Sequence, residues 1–265
     1  MNKKKHSYNF ILGIVLTVIT VVPSIIGIFW TPYDSEQMNL SLKMTGPTFS
    51  HIMGCDDFGR DVFSRIMEGS STTLLIGIGT VLIGCIIGTI LGAFTGYYGG
   101  AIDELLMRII DVMFSFPSIL LALVIVALLG SGKYQVIVAL SIAFIPSYAR
   151  IVRSEYIRIK QMDYVQAAKL AGASDMRVIF VHMLPNCVRV LISSVLIGFN
   201  NAVLAEAGLS FLGIGVQPPD ASLGSMLSDA QTYLFSKPGL AIAPGITLII
   251  MVLGIALLGK EIDGK

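Results

Sequence analysis

Two carboxylates stand inside stretches that are otherwise apolar, and they are where this sequence could do chemistry. Glu206 interrupts the run from Val190 to Leu212, and Asp111 lies in the run from Leu105 to Leu129. An acid in such a run pairs internally, stays neutral or faces an aqueous path. Glu206 has Asn200 and Asn201 on earlier turns. Hydrogen bonds from Asn or Ser are one reading, and a polar translocation path lined by Glu206, Asn200, Asn201 and Asp111 is the other. Asp111 lies in the first turns of its run, where the helix dipole favours an acid. Pairing with Arg108 on the adjacent turn is the expected structural role there. Catalytic constellations are lacking. His6, His51 and His182 are scattered, and no paired acids or nucleophile triad is visible. Cys55, Cys85 and Cys187 form no CxxC or Cys/His cluster, so they read as structural thiols rather than metal ligands. No G-x-x-x-x-G-K-[ST] phosphate loop occurs.

The elements that hold these residues are membrane spans. Hydrophobic residues make up 54% of the chain and charged ones 13%, with a mean hydropathy of +0.80. A soluble domain carries about 25% charge, so lipid is the solvent for most of this chain. A net charge of +1 leaves no basic face for nucleic acid. The sequence predicts an all-α polytopic protein with six spans: 10–30, 72–96, 105–129, 134–149, 190–212 and 240–258. The first follows Lys3, Lys4 and Lys5, as in a signal peptide. Its bilayer-spanning length, the lack of an A-x-A site and the following Trp30 and Tyr33 favour a retained span.

Between spans the pattern changes. Phe58, Val62, Phe63, Ile66 and Met67 fall at helical spacing, with Arg60, Asp61, Ser64, Arg65 and Glu68 on other sides. This predicts an external amphipathic helix, capped by Asp56 or Asp57, with an Asp61–Arg65 i,i+4 pair. Gly84, Gly88 and Gly92 make a small-residue ridge for close helix packing. Gly96, Gly99 and Gly100 with Tyr97 and Tyr98 mark a tight turn, and Pro117 is expected to kink the third span. Residues 213–239 read as an ordered outer loop. The resulting segments are a tail over 1–9, a first span and external segment over 10–71, a core over 72–260 containing the loop 150–189, and a tail over 261–265.

Six spans put both termini on one side. That side holds thirteen of the Lys and Arg residues and the other five, so the positive-inside rule places the termini and the 150–189 loop in the cytoplasm. Within this loop, Tyr164–Asn186 (YVQAAKLAGASDMRVIFVHMLPN) contains two short helical pieces. Gln166–Ala171 is rich in helix formers, and Gly172 is free to take positive φ and end it. Ser174 or Asp175 can cap a second piece, which Pro185 is expected to end. A loop with its own helices and a small-residue face suits a partner's groove and can pass force to the spans.

The stretch QAAKLAGASDMRVIFVHMLPN resembles the "EAA" loop of permease subunits of binding-protein-dependent ABC importers. Ala167, Ala168, Gly172, Leu184 and Pro185 match that pattern, and Gln166 stands where the family usually has Glu. GCDDFGRDVFSRI (Gly54–Ile66) and LSFLGIGVQPP (Leu209–Pro219) are similar to the peptide/nickel/opine branch. The resemblance implies a coupling loop of Gln166, Ala167, Ala168, Lys169, Leu170, Ala171, Gly172, His182, Leu184 and Pro185. It also implies an external motif of Asp57, Gly59, Arg60, Asp61 and Arg65. The implied assembly is a heterodimer with a second homologous permease, docked on two ABC ATPase subunits and served by an extracytoplasmic solute-binding protein. ATP would bind those partners, and this chain would hold no cofactor. The substrates implied are di- and oligopeptides, nickel or metal chelates. An ion-driven secondary carrier is the alternative. It would place ionisable residues at midplane in two symmetric halves, yet only Glu206 is deep and no repeat is visible.

Overall fold

The computed structural model describes the backbone from Lys3 to Asp263 and the side chains from Tyr8 to Lys260. Of the expected tails over 1–9 and 261–265, the backbone over 3–9 and 261–263 is described and is helical, and the rest lies outside the described residues. Among the described residues no strand forms beyond one bridge between Cys55 and Asp61.

The helices are α1 (Lys3–Gly27), α2 (Val62–Tyr98), α3 (Gly100–Phe114), α4 (Ser118–Leu129), α5 (Lys133–Lys160), α6 (Asp163–Leu170), α7 (Asp175–Arg177), α8 (Leu184–Phe211), α9 (Leu223–Ala230) and α10 (Gly239–Asp263). Five helical stretches are long and apolar enough to cross a membrane, and α3 with α4 makes a sixth if the bent pair is one span.

Four sequence expectations change. The external amphipathic stretch is not a separate helix, because from Val62 it runs on into the second span as one 37-residue helix. The third span is broken rather than kinked: α3 and α4 meet at 89°. Pro117 has no N–H to donate and drives Phe116 out of helical geometry. α4 alone, about 18 Å long, falls short of a hydrocarbon core of about 30 Å. Pro185 does not end the second piece of the loop, because α7, a π-helical turn over Val178–Met183 and α8 run on as one stretch. The wider i→i+5 turn takes up the chain where proline cannot donate. Finally, the outer loop carries a helix of its own, α9. Its capping box joins the Ser222 side chain to the Ser225 N–H and the Ser225 side chain to the Ser222 N–H.

The chain divides into two compact units. The first comprises Met1–Ile78, Val126–Ile137 and Asn200–Lys265, and the second Gly79–Ile125 and Val138–Phe199. In the first, α10 packs along α1 and against α9. In the second, the glycine ridge of α2 packs on α5. A Cβ at Gly88 would stand 2.5 Å from that of Tyr148, and one at Gly92 would stand 2.8 Å from that of Val152. Only glycine admits so close a crossing.

Candidate functional site

The loop following α5 is built on the core of the second unit. Val165 of α6, with Val178, Ile179 and Met183 of the π turn, is buried against Tyr97, Val152, Tyr156 and Ile159. The Tyr156 hydroxyl donates to the Ile179 carbonyl at 3.1 Å, inside the π turn. Tyr97, the penultimate residue of α2, holds the loop in three ways. Its hydroxyl bonds the Asp175 carboxylate. Its carbonyl accepts from Lys160 Nζ at 2.5 Å. Lys169 Nζ sits 4.6 Å above its ring, a cation–π contact. Arg153 of α5 forks onto Asp103 of α3, with both N–H···O distances at 2.6 Å.

On this support α6 presents an open face. Gln166, Ala167, Leu170 and Ala171 are exposed, Leu170 to 91%. Gln166 donates back to the Lys160 carbonyl at 2.8 Å. Gly172 takes φ +82° and nothing lies near the place of its missing Cβ. The conformation, not crowding, therefore demands glycine there. Ala168 and Lys169 are half-buried. His182 and Leu184 are half-buried in and after the π turn, and Pro185 is exposed. Sequence reasoning missed Tyr97, Tyr156 and Lys160. The one signal in the sequence is a Tyr-Tyr pair closing the glycine-ridged helix, which on its own reads only as part of a turn.

Glu206 is fully buried at 0% exposure. Thr73 donates to its Oε2 at 2.9 Å and Ser210 to its Oε1 at 2.7 Å. Each hydroxyl also accepts a backbone N–H: Thr73 from Leu223 at 3.2 Å, and Ser210 from Val216 at 3.0 Å. Glu206 thus ties α8 to α2, to the start of α9 and to the 213–222 segment. The hydrogen-bonding reading holds through Ser and Thr, and Asn takes no part. Asn200 is half-buried with an unpartnered Oδ1, and Asn201 is exposed. The structure does not bring Asp111 to Arg108. Asp111 pairs with Arg150 of α5, while Arg108 takes Glu104 at 2.5 Å. The sequence neighbour loses because Glu104 also lies one turn away from Arg108, whereas Arg150 comes from another helix.

The external motif is knit together, with different partners from those expected. Asp61, not Asp56 or Asp57, caps α2, accepting from the Ser64 N–H and hydroxyl, both at 2.8 Å. It also holds His51 Nδ1 at 2.8 Å. The Asp61–Arg65 pair is not made. Asp56 is the hub: it accepts from the N–H groups of Phe58 and Arg60 and from Arg60 Nε at 2.7 Å, and lies 3.6 Å from Arg65 Nε. Arg65 also lies 3.9 Å from Asp229 of α9, whose carboxyl is pushed up by burial. Asp57 stands half-buried beside this cluster. Gly59 has φ +75°, and the Asn39 carbonyl occupies the space any Cβ would need.

Helices long and apolar enough to cross a membrane, with a helical loop exposed on a packed core, are the features of a membrane-embedded subunit. Residues 88–263 match the model of the family described as binding-protein-dependent transport system inner membrane component, and the chain belongs to this family. It is 41% identical over 236 residues to the glutathione transport system permease protein GsiD of Pectobacterium atrosepticum, covering 87% of this chain and 78% of that one. It is 39% identical over 249 residues to the dipeptide transport system permease protein DppC of Alkalihalophilus pseudofirmus, covering 94% and 82%. A structure of the methionine ABC transporter MetNI, in an inward-facing conformation, shares the fold. Its TM-score is 0.62 at 20% identity, over 75% of this chain and 95% of that chain. The protein is therefore a multi-pass inner-membrane permease subunit of an ABC importer, without catalytic function of its own. ATPase and substrate-binding protein partners come with the family.

Proposed function

We propose that this chain is one half of a heterodimeric permease for small peptides docked on two ABC ATPase subunits, and that α6 is its coupling helix, seated in an ATPase cleft. ATP binds on those ATPases, and an extracytoplasmic solute-binding protein delivers the peptide. Both termini and the loop lie in the cytoplasm in this reading, which the distribution of Lys and Arg supports. The observation that carries this reading is the loop itself. An exposed, small-residue helix ends in a left-handed Gly172 and is bolted through Val165 and Tyr97 to the core beneath. A push on α6 therefore reaches α2 and α5 without being absorbed by a slack connector. Peptides are preferred to nickel because relatives across nearly the whole chain are named for dipeptide and glutathione transport.

Gly172→Val tests the coupling. A bulky β-branched side chain at φ +82° is strained by about 1–2 kcal/mol, enough to re-aim a short helix while leaving the spans in place. Uptake of a labelled dipeptide should fall at least tenfold with membrane abundance unchanged. Intact uptake would remove α6 as the coupling helix. Dipeptide uptake that depends on the subunit and ignores nickel supports the peptide reading, and subunit-dependent nickel uptake that ignores peptides would replace it.

A further inference from the structure

Helices α3 and α4 meet at 89°, and they differ in kind. From Ile119 to Leu129 α4 carries only apolar side chains, so it runs through hydrocarbon. A helix at right angles to it lies along the membrane surface. The sides of α3 fit that place, as a turn of 3.6 residues sorts them. One side is packed. Ile110 is buried, and Asp103, Leu106 and Met107 are half-buried. Arg153 of α5 forks onto Asp103 at 2.6 Å, and Arg150 sits 4.0 Å over the Phe114 ring. A second side is apolar and open. Ile102, Leu105, Ile109 and Val112 fall one to each turn, and each is more than half exposed. The third side is charged and open, with Glu104, Arg108 and Asp111. Its charges are already paired, Arg108 with Glu104 and Asp111 with Arg150, so the apolar side is the surface that needs a cover. Immersed in hydrocarbon, α3 would show ion pairs to lipid, which is expensive. Immersed in water, it would show an apolar stripe along its whole length. At the boundary all three sides are satisfied together: bundle beside the helix, acyl chains under the apolar side and water on the charged one.

We propose that α3 is an in-plane lipid anchor, its apolar side seated in the bilayer surface on the side of the membrane where the α6 loop lies. Only the naming of that side as cytoplasmic rests on the reading above. With α3 in the plane, α4 alone makes the third crossing. Its far end finishes against protein: the Gly132 N–H donates to the Gly215 carbonyl at 3.0 Å, and Lys133 Nζ to Asp220 Oδ1 at 2.7 Å. Irregular backbone at membrane depth is tolerated where protein covers it. Because Asp103 and Asp111 tie α3 to the end of α5 that leads into α6, the anchor sets the level of that loop against the membrane. The test reads depth along the helix. The assembled permease–ATPase complex is placed in phosphatidylcholine nanodiscs. A fluorescent non-canonical amino acid replaces Leu105, Ile109, Val112 or Glu104, one at a time, by amber suppression. Phosphatidylcholines brominated at successive acyl carbons quench from within the bilayer, and iodide quenches from water. Co-purification of the ATPase shows that assembly survives each change at these exposed positions. Probes at 105, 109 and 112 should be quenched by brominated lipid at one common depth, about 5–10 Å into the headgroup–acyl boundary. The probe at 104 should be quenched by iodide alone. An upright half-span would instead deepen by about 10 Å from 105 to 112, and that gradient overturns the proposal. Protection of 105, 109 and 112 from both quenchers overturns it too, and is the result if a second permease covers the stripe. The depths do not depend on substrate, so absent dipeptide uptake in wild-type cells would end the peptide-import reading and leave the anchor standing.

Discussion

Tyr97 joins the loop to α2 by ring and by hydroxyl, and the two contributions separate by mutation. Tyr97→Phe keeps the ring under Lys169 and in the core but removes the bond to Asp175. Such a bond to a charged group contributes about 1.5–3 kcal/mol. Membrane abundance should hold while uptake falls severalfold, read by immunoblot and by transport in the same cells. Tyr97→Ala also empties a packed site, which costs about 3–5 kcal/mol, and should lower abundance itself. Glu206 follows a different logic, because its hydrogen bonds lie within the first unit. With both hydroxyls already accepting backbone N–H groups, their protons point at the carboxyl group. Glu206→Ala strands two buried hydroxyl donors and leaves a void. Thermal unfolding in detergent should show a loss of several kcal/mol, and Glu206→Gln a smaller one. If Glu206→Ala melted like wild type, the buried network would be dispensable. The sequence made Glu206 conspicuous by its apolar surroundings, but it could not show that Thr73, far away along the chain, supplies the bond.

At the scale of elements, the α2–α5 crossing is set by glycines rather than by large side chains. Gly88→Leu would push a side chain into Tyr148 and the backbone at Ala149. Overpacking of this kind costs about 1–3 kcal/mol, and here the neighbour is backbone, which yields little. The variant should accumulate poorly and unfold at lower temperature. Gly99→Ala, with open space around it, should pack without a clash and lose only what its φ of +66° costs. This crossing was legible because i+4 glycine spacing is a local pattern with one physical use. So was the stop at Gly172. The π turn was not, since it depends on Tyr156 reaching Ile179 from another helix. Nor was α9: eight residues are too few for a periodic signal, and Leu223, Gly224, Ser225, Met226 and Ala230 are buried by neighbours distant in sequence. The break at Pro117 is legible in the sequence as a kink, but not the 89° between α3 and α4.

For the whole molecule, the decisive property is what the chain lacks and must borrow. On the coupling role proposed for α6, the energy for transport enters through its exposed face, where Leu170 is 91% exposed beside Gln166, Ala167 and Ala171. An isolated leucine on a short helix, ringed by small residues, is a knob for a partner's cleft. Central anchors of such interfaces contribute about 2 kcal/mol or more each, and burying a charge in place of one is worse. Leu170→Asp should therefore strip the ATPase from the purified complex, lowering its retention by more than about thirtyfold. The spans should be untouched, because the residue contributes almost nothing to the fold. Phe235→Asp is the matched control. It is equally exposed, at 100%, but it lies in the 213–239 segment that the charge distribution assigns to the external side. The ATPase should remain bound in that variant. Loss of the ATPase from both would mean that the permease–ATPase complex fails through general instability. Loss from Leu170→Asp alone ties the ATPase contact to the α6 loop, which packs through Val165 and Tyr97 on the core that α2 and α5 share.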